Sequence, residues 1–206
     1  MKFNFILLVT ICSFNVPFYT FADSPITSTQ FSVAYRNEGI VKTASESNGI
    51  LTDELMEYLT NTRNPVDVKM AVINELSWNI DGKSNADRFL DYVMKNKNYA
   101  DENVFIKKGE GDELLCLAYL KAMDNYFDVS DAYKYAQYAL KKKPKSYTFN
   151  IITAIIKAQK EFDTNWCNVY KATDKVRNNS RLKKDMNKEA IAIIFEYMDL
   201  YNDSCK

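Results

Sequence analysis

Between residues 52 and 203 the apolar side chains of this chain return every three or four positions, a period that suits a helix and not a strand. Val68, Val72, Leu76 and Ile80 advance four at a time, with Ala71 and Ile73 beside them. Ala86, Phe89, Leu90, Val93 and Met94 form the next stripe, and Leu114, Leu115, Leu117, Ala118, Ala122 and Tyr126 the one after. Phe149, Ile152 and Ile156, flanked by Ile151 and Ile155, are apolar enough to be covered on two faces, which places that helix centrally. The last stripe runs through Leu182, Met186, Ala190, Ile194, Tyr197 and Tyr201. Helix breakers are few: after Ala22 the prolines are Pro25, Pro65 and Pro144, and the chain holds five glycines. The expected class is all-α, with about eight helices joined by short links into antiparallel hairpins.

Capping residues punctuate the pattern. Thr52 can open a helix through Thr60, and Asn64 before Pro65 supplies a cap followed by a first-turn proline. Ser84 with Asp87 makes a weak capping box, Ser146 opens the Phe149 helix, and Thr164 can open a helix over residues 165–176. The charged stretch Tyr99 to Gly111 reads as a connecting loop, and the last helix is expected from about Ser180.

Ahead of this array lie two other segments. Lys2, the apolar run Phe3 to Phe18 and the small residues around Ala22 read as a signal peptide cleaved after Ala22, spanning residues 1–22. Residues 23–51 read as a flexible leader, in which Gln30 to Tyr35 alternate as a short strand would. Residues 52–206 then form a single helical domain, periplasmic or secreted, with no membrane insertion after cleavage.

Charge names no partner by itself: 27 basic residues balance 27 acidic ones, so no global field draws nucleic acid or an anionic membrane. The chain has no histidine, which removes Ser-His-Asp and Cys-His catalysis and the usual histidine zinc sites. No cofactor and no metal site is expected. Of the cysteines beyond Ala22, Cys167 and Cys205 lie near helix ends in the C-terminal third and can pair in an oxidising compartment. The alternative is that these two, like Cys116 in its apolar run, are buried or free thiols.

Ala132 and Ala139 sit seven residues apart on one helical face, Leu140 follows, and Pro144 ends the helix. With Ala154 in the next helix, residues from about Leu114 to Lys160 resemble a tetratricopeptide repeat followed by the first helix of another. The resemblance is partial: Cys116 with Tyr119-Leu120, and Asn150 with Thr153-Ala154, occupy the family's tryptophan and leucine-glycine positions, and Ala136 replaces an aromatic. It implies a superhelical array with a concave face that holds a protein or peptide, and it lends no catalytic residues. The alternative architecture is an irregular right-handed helical array.

The remaining signals are local. Tyr126, Tyr135, Tyr138 and Tyr147 crowd one segment and are candidate partner contacts, with core packing as the competing role. Asp124, Asp128 and Asp131 lack the glycine and dense oxygen spacing of a calcium loop. Lys141, Lys142, Lys143 and Lys145 complement a helix end. Trp78 and Trp166 are assigned to the core. The expectation is an exported helical module that binds a protein or peptide, without catalytic activity. The competing readings are an envelope immunity protein against a toxin and a carboxylate-dependent glycan hydrolase.

Overall fold

The apolar residues of 111–124 end in a helix enclosed on nearly every side. In the computed structural model, which describes residues 23–206, the chain is all-α and forms ten α-helices among the described residues. They are α1 (Gly39–Glu46), α2 (Asp53–Thr60), α3 (Val66–Leu76), α4 (Asn85–Lys97), α5 (Glu102–Lys108), α6 (Gly111–Asp124), α7 (Ser130–Lys142), α8 (Tyr147–Glu161), α9 (Trp166–Arg177) and α10 (Lys188–Met198). Of α6 only Lys121 is not buried, because α2, α3, α4, α7 and α8 all pack around it. From α6 onward each helix lies against the next through α9, the order that short links impose on hairpins. Ala132, Ala136 and Ala139 are buried along α7, and the Thr153 hydroxyl on α8 donates to the Ala136 carbonyl at 3.5 Å. The small side chains of α7 therefore permit close helix approach.

Several boundaries follow the caps read from sequence. The Thr52 hydroxyl accepts the Leu55 N–H at 3.4 Å, and the Ser146 hydroxyl accepts that of Phe149 at 3.2 Å. Others differ for identifiable reasons. Asn165, not Thr164, caps α9, accepting the Asn168 N–H at 3.0 Å, while Thr164 bonds back to the Glu161 carbonyl. Pro65 stands at the start of α3, and Asn64 turns away to donate to the Tyr58 carbonyl at 2.9 Å. Ser84 makes no cap bond. The Ala86 N–H at the start of α4 is taken by Asp124 from the far end of α6, at 2.6 Å.

The stretch Tyr99 to Gly111 is not all loop. Asp101 caps α5 through the Val104 N–H at 2.9 Å, and Phe105 on α5 is buried. The final helix starts at Lys188 and not near Ser180, because residues 182–187 form a non-helical strap. Its Lys183 N–H donates to the Lys145 carbonyl at 2.7 Å, and its carbonyl accepts the Tyr147 N–H at 3.1 Å, a single parallel bridge.

Residues 23–51, expected to be a flexible leader, are instead part of the core. Phe31 to Tyr35 form a short 3-10 helix rather than a strand, and Phe31 is fully buried with its ring stacked on Tyr119, centroids 6.2 Å apart. Asn74 of α3 holds this segment on three sides. Its carbonyl accepts the Ser32 N–H at 2.8 Å, and its amide donates to the Thr29 carbonyl at 3.0 Å and the Tyr119 hydroxyl at 2.9 Å. The Ile26 N–H reaches Gln159 on α8 at 3.0 Å, and α10 packs on the 3-10 helix. One alternating stretch fails as a strand because a buried asparagine offers its backbone groups better partners than a lone edge would. The expected signal peptide lies outside the described residues.

Cys167 at the start of α9 and Cys205 near the C-terminus are joined by a disulfide, which pins a second 3-10 helix, Asp199–Cys205, to α9. Cys116 is a free, buried thiol whose pKa is pushed up by burial, so it stays protonated. Trp166 departs from the expected core placement: as the first residue of α9 it stands 56% exposed, edge-on to Tyr201. Trp78 is half-buried against Tyr126.

If residues 23–35 belong to the core, Phe31→Ala costs about 3–5 kcal/mol in a denaturant titration. A flexible leader would leave the unfolding midpoint unchanged.

Candidate functional site

The four candidate tyrosines do not meet in one groove. Tyr126, Tyr135 and Tyr147 are core residues, and only Tyr138 is half-open to solvent. Tyr126 lies between Trp78 and Phe127, with ring centroids 5.2 and 4.3 Å away. The hydroxyl of Tyr135, on the inner face of α7, donates to Glu102 of α5. Burial raises the pKa of Tyr147 to about 12. Tyr138 sits edge-on to Tyr135, with the Lys141 ammonium 5.5 Å from its ring centre. Seven-residue spacing of alanines turns the same face of α7 inward, and of the tyrosines between them only Tyr135 lies on that face.

The aspartates around the α6–α7 turn also separate. Asp124 is buried and caps α4, Asp128 accepts the Ser130 N–H at 3.0 Å, and Asp131 pairs with Lys121 at 2.8 Å. Among the described residues no group of three or more His, Cys, Asp or Glu gathers in a metal-binding arrangement.

What the chain does assemble is an open cleft of about 940 Å³ where helix ends converge. Thr62 to Asp67 lead into α3 on one side, Asp112 opens α6, and Lys143 to Phe149 carry the chain from α7 to α8. The strap residues Lys183 to Met186 close the remaining side. Pro65, Val66, Phe149 and Met186 give the cleft apolar walls, and Lys143, Lys145, Lys183 and Lys184 give it a cationic rim.

Behind the wall lies a buried ion cluster. Lys69 on α3 has no solvent exposure, and its ammonium meets Asp112 at 3.2 Å, while the half-exposed Lys143 reaches the other oxygen of the same carboxylate at 2.6 Å. Lys143 also lies 5.6 Å from the Phe149 ring centre. Asp112 thus ties α3 to α6 and holds one rim lysine in place. The two other wall carboxylates are satisfied internally. Asp67 accepts the Tyr35 hydroxyl at 2.9 Å, and Asp185 accepts the Thr148 N–H at 3.0 Å.

A smaller groove of about 410 Å³ runs between α7, α8 and α9, lined by Lys157, Lys171 and Lys175 and by no acidic residue. Its Asn150 donates through the side-chain amide to the carbonyls of Pro144 and Ser146, which line the cleft. The Lys141 to Lys145 run was visible in the sequence as a helix-end cluster. Its meeting with Lys183 and Lys184 was not, because an isolated parallel bridge has no periodic signature.

Two carboxylates are pushed toward their neutral form. Asp124 is raised to about 6, mainly by burial, with the Ala86 N–H and Lys83 opposing. Glu113 is raised mainly by burial too, while the Glu110 N–H and Lys97 oppose. They stand at opposite ends of α6, about 16 Å apart along its axis. Asp124 borders a small opening beside Gly82 and Phe127, and neither carboxylate lines the 940 Å³ cleft.

Asp112→Ala leaves Lys69 charged and unpaired in the interior and costs about 3–5 kcal/mol, whereas Lys143→Ala costs no more than about 1 kcal/mol; denaturant midpoints give both. Asp124 supplies a pH test. Its native pKa lies above the unfolded value, so the native state holds the proton more tightly. The group destabilises the fold above about pH 6, and that penalty fades as pH falls toward the unfolded value of 3.8. Asp124→Asn is therefore expected to gain on the wild type as pH rises from 4 to 8, by on the order of 2–3 kcal/mol. A difference that does not change with pH would show Asp124 to be solvated like a surface carboxylate.

Compared with protein families, curated proteins and solved structures, the chain matches none of them.

Proposed function

We propose that this protein is an exported helical binding module that holds an extended segment of a partner polypeptide in the cleft between the starts of α3, α6 and α8. The observation that carries this reading is the cleft's construction: about 940 Å³, apolar walls beneath a polar rim, and walls made of three helix starts closed by the strap. Apolar pockets with a few fixed polar groups are how proteins hold side chains of a ligand. The succession α6 to α9, with buried alanines between hairpin partners, supports a tetratricopeptide-like organisation of the C-terminal half. Export is supported by the Cys167–Cys205 bond, since disulfides persist in oxidising compartments. A glycan hydrolase is the weaker reading, because the two carboxylates held toward neutrality stand about 16 Å apart along α6, farther than a facing catalytic pair.

The test is selection of a displayed random peptide library on the purified protein. Peptides with micromolar affinity should emerge, and Thr62→Trp, which places a large side chain at the exposed edge of the cleft, should weaken them about tenfold or more. The unfolding midpoint should stay within about 0.5 kcal/mol of wild type. Selected peptides indifferent to that substitution would place binding elsewhere, and no selected peptides would refute the reading.

A further inference from the structure

The net charge of zero conceals an uneven distribution, and the cleft is where it shows. Each carboxylate in its wall already has a partner inside the protein. Asp112 is shared by Lys69 and Lys143, Asp67 accepts the Tyr35 hydroxyl, and Asp185 accepts both the N–H and the hydroxyl of Thr148. The rim lysines are not matched in this way. Lys145 and Lys183 use only their backbone groups, in the bridge that fastens the strap, and neither they nor Lys184 form an ion pair among the described residues. Three exposed ammonium groups therefore surround a cavity whose acidic groups are occupied.

The adjoining groove extends the same sign. Lys157, Lys171 and Lys175 line it without an acidic residue and without ion pairs among the described residues. Asn150 lines this groove, and its amide donates to the carbonyls of Pro144 and Ser146, which line the cleft, so the surface beside the α7–α8 wall of the cleft carries lysines and no carboxylate. Charge segregated in this way speeds the encounter with an opposite charge and selects against a like one.

We infer that the occupant of the cleft is an acidic polypeptide segment, with aspartate or glutamate side chains against Lys145, Lys183 and Lys184 and an apolar side chain between Val66 and Phe149. This rests on the binding reading given above. The mixed lining favours a peptide over a uniform polyanion. A phosphate-rich chain has no apolar group for Pro65, Val66 and Met186. The rim also carries lysines and no arginine, lacking the planar fork that suits repeated phosphate contacts.

The experiment is fluorescence anisotropy with three labelled peptides of equal length, each alternating leucine with one other residue: glutamate, serine or lysine. Inorganic polyphosphate serves as competitor. The glutamate peptide should bind at least about tenfold more tightly than the serine peptide, and the advantage should shrink as salt rises, since screening acts on exposed charges. The variant Lys145→Glu, Lys183→Glu, Lys184→Glu should reverse the order, favouring the lysine peptide. All three positions are exposed, so its unfolding midpoint should match wild type; for a variant that unfolds, the single change Lys184→Gln is used and should cost the glutamate peptide several-fold.

Equal binding of the glutamate and serine peptides, unaffected by charge reversal, would overturn the acidic assignment and leave the binding module standing. Polyphosphate that binds more tightly than the glutamate peptide would overturn it in favour of a polyanion site. Failure of all three peptides, together with an empty library selection, would overturn the binding module itself.

Discussion

Because α6 is enclosed on nearly every side, most polar groups on it are answered by a neighbouring element, and those answers decide where the neighbours sit; Glu113 Oε1 and Asp124 Oδ1 carry no hydrogen bond. Asp112 draws in Lys69 from α3 and Lys143 from the end of α7. Tyr119 is bonded by Asn74, which in turn holds Thr29 and Ser32. Asp124 supplies the cap that Ser84 does not give α4. Glu113 closes the capping box with Glu110 and lies 3.7 Å from Lys97. Apolar burial gives α6 its central position, but burial has no direction. The directional polar contacts at its ends and middle fix which helix faces which.

The cleft is a by-product of that requirement at one end of α6. Three helices begin near the same place, and a helix start needs acceptors for its free N–H groups. Ser146 and the Glu110–Glu113 box meet that need within the chain, and Asp185 reaches across from the strap to the Thr148 N–H. Side chains spent on capping cannot fill the space between the helix ends. What remains is an opening walled by proline, valine, phenylalanine and methionine, with lysines from the end of α7 and from the strap at its edge. Its rigidity comes from the strap, which is bonded to the α7–α8 turn in both directions at Lys183.

Much of the fold was legible because a helix writes its burial into local spacing. The stripes of Val68 to Leu76, Phe89 to Met94 and Phe149 to Ile156 needed no knowledge of tertiary partners, and neither did the caps at Thr52 and Ser146, whereas Ile80, read as the end of the first stripe, is exposed beyond the end of α3. The features that escaped are those in which the deciding partner is distant in sequence. The packing of residues 23–35 depends on Asn74, the α4 cap on Asp124, and the shortened last helix on Lys145. The role of the tyrosines stayed open in the sequence for a related reason. An aromatic residue on an amphipathic helix carries the same sequence signal whether its face meets a partner or a neighbouring helix, and for Tyr135 that neighbour is α6.

The same logic explains why the cleft's charge could not be read from the composition. Lys145 and Lys183 are 38 positions apart in the sequence. They become neighbours only through one backbone bridge, whose two hydrogen bonds carry no side-chain preference. A sequence of balanced charge can therefore present a cationic opening whenever its carboxylates are used up by internal work. In this chain Asp67, Asp112, Asp124 and Asp185 each hold a helix start, a buried lysine or a tyrosine hydroxyl. Lysine, with its long flexible stem and strong hydration, is seldom needed for such tasks. Asp112 is offset by Lys69 and Lys143, and Asp67 and Asp185 are held by neutral donors inside the protein, so the unpaired charge at the rim is that of Lys145, Lys183 and Lys184. The electrostatics of the opening follow from the way the helices are held together.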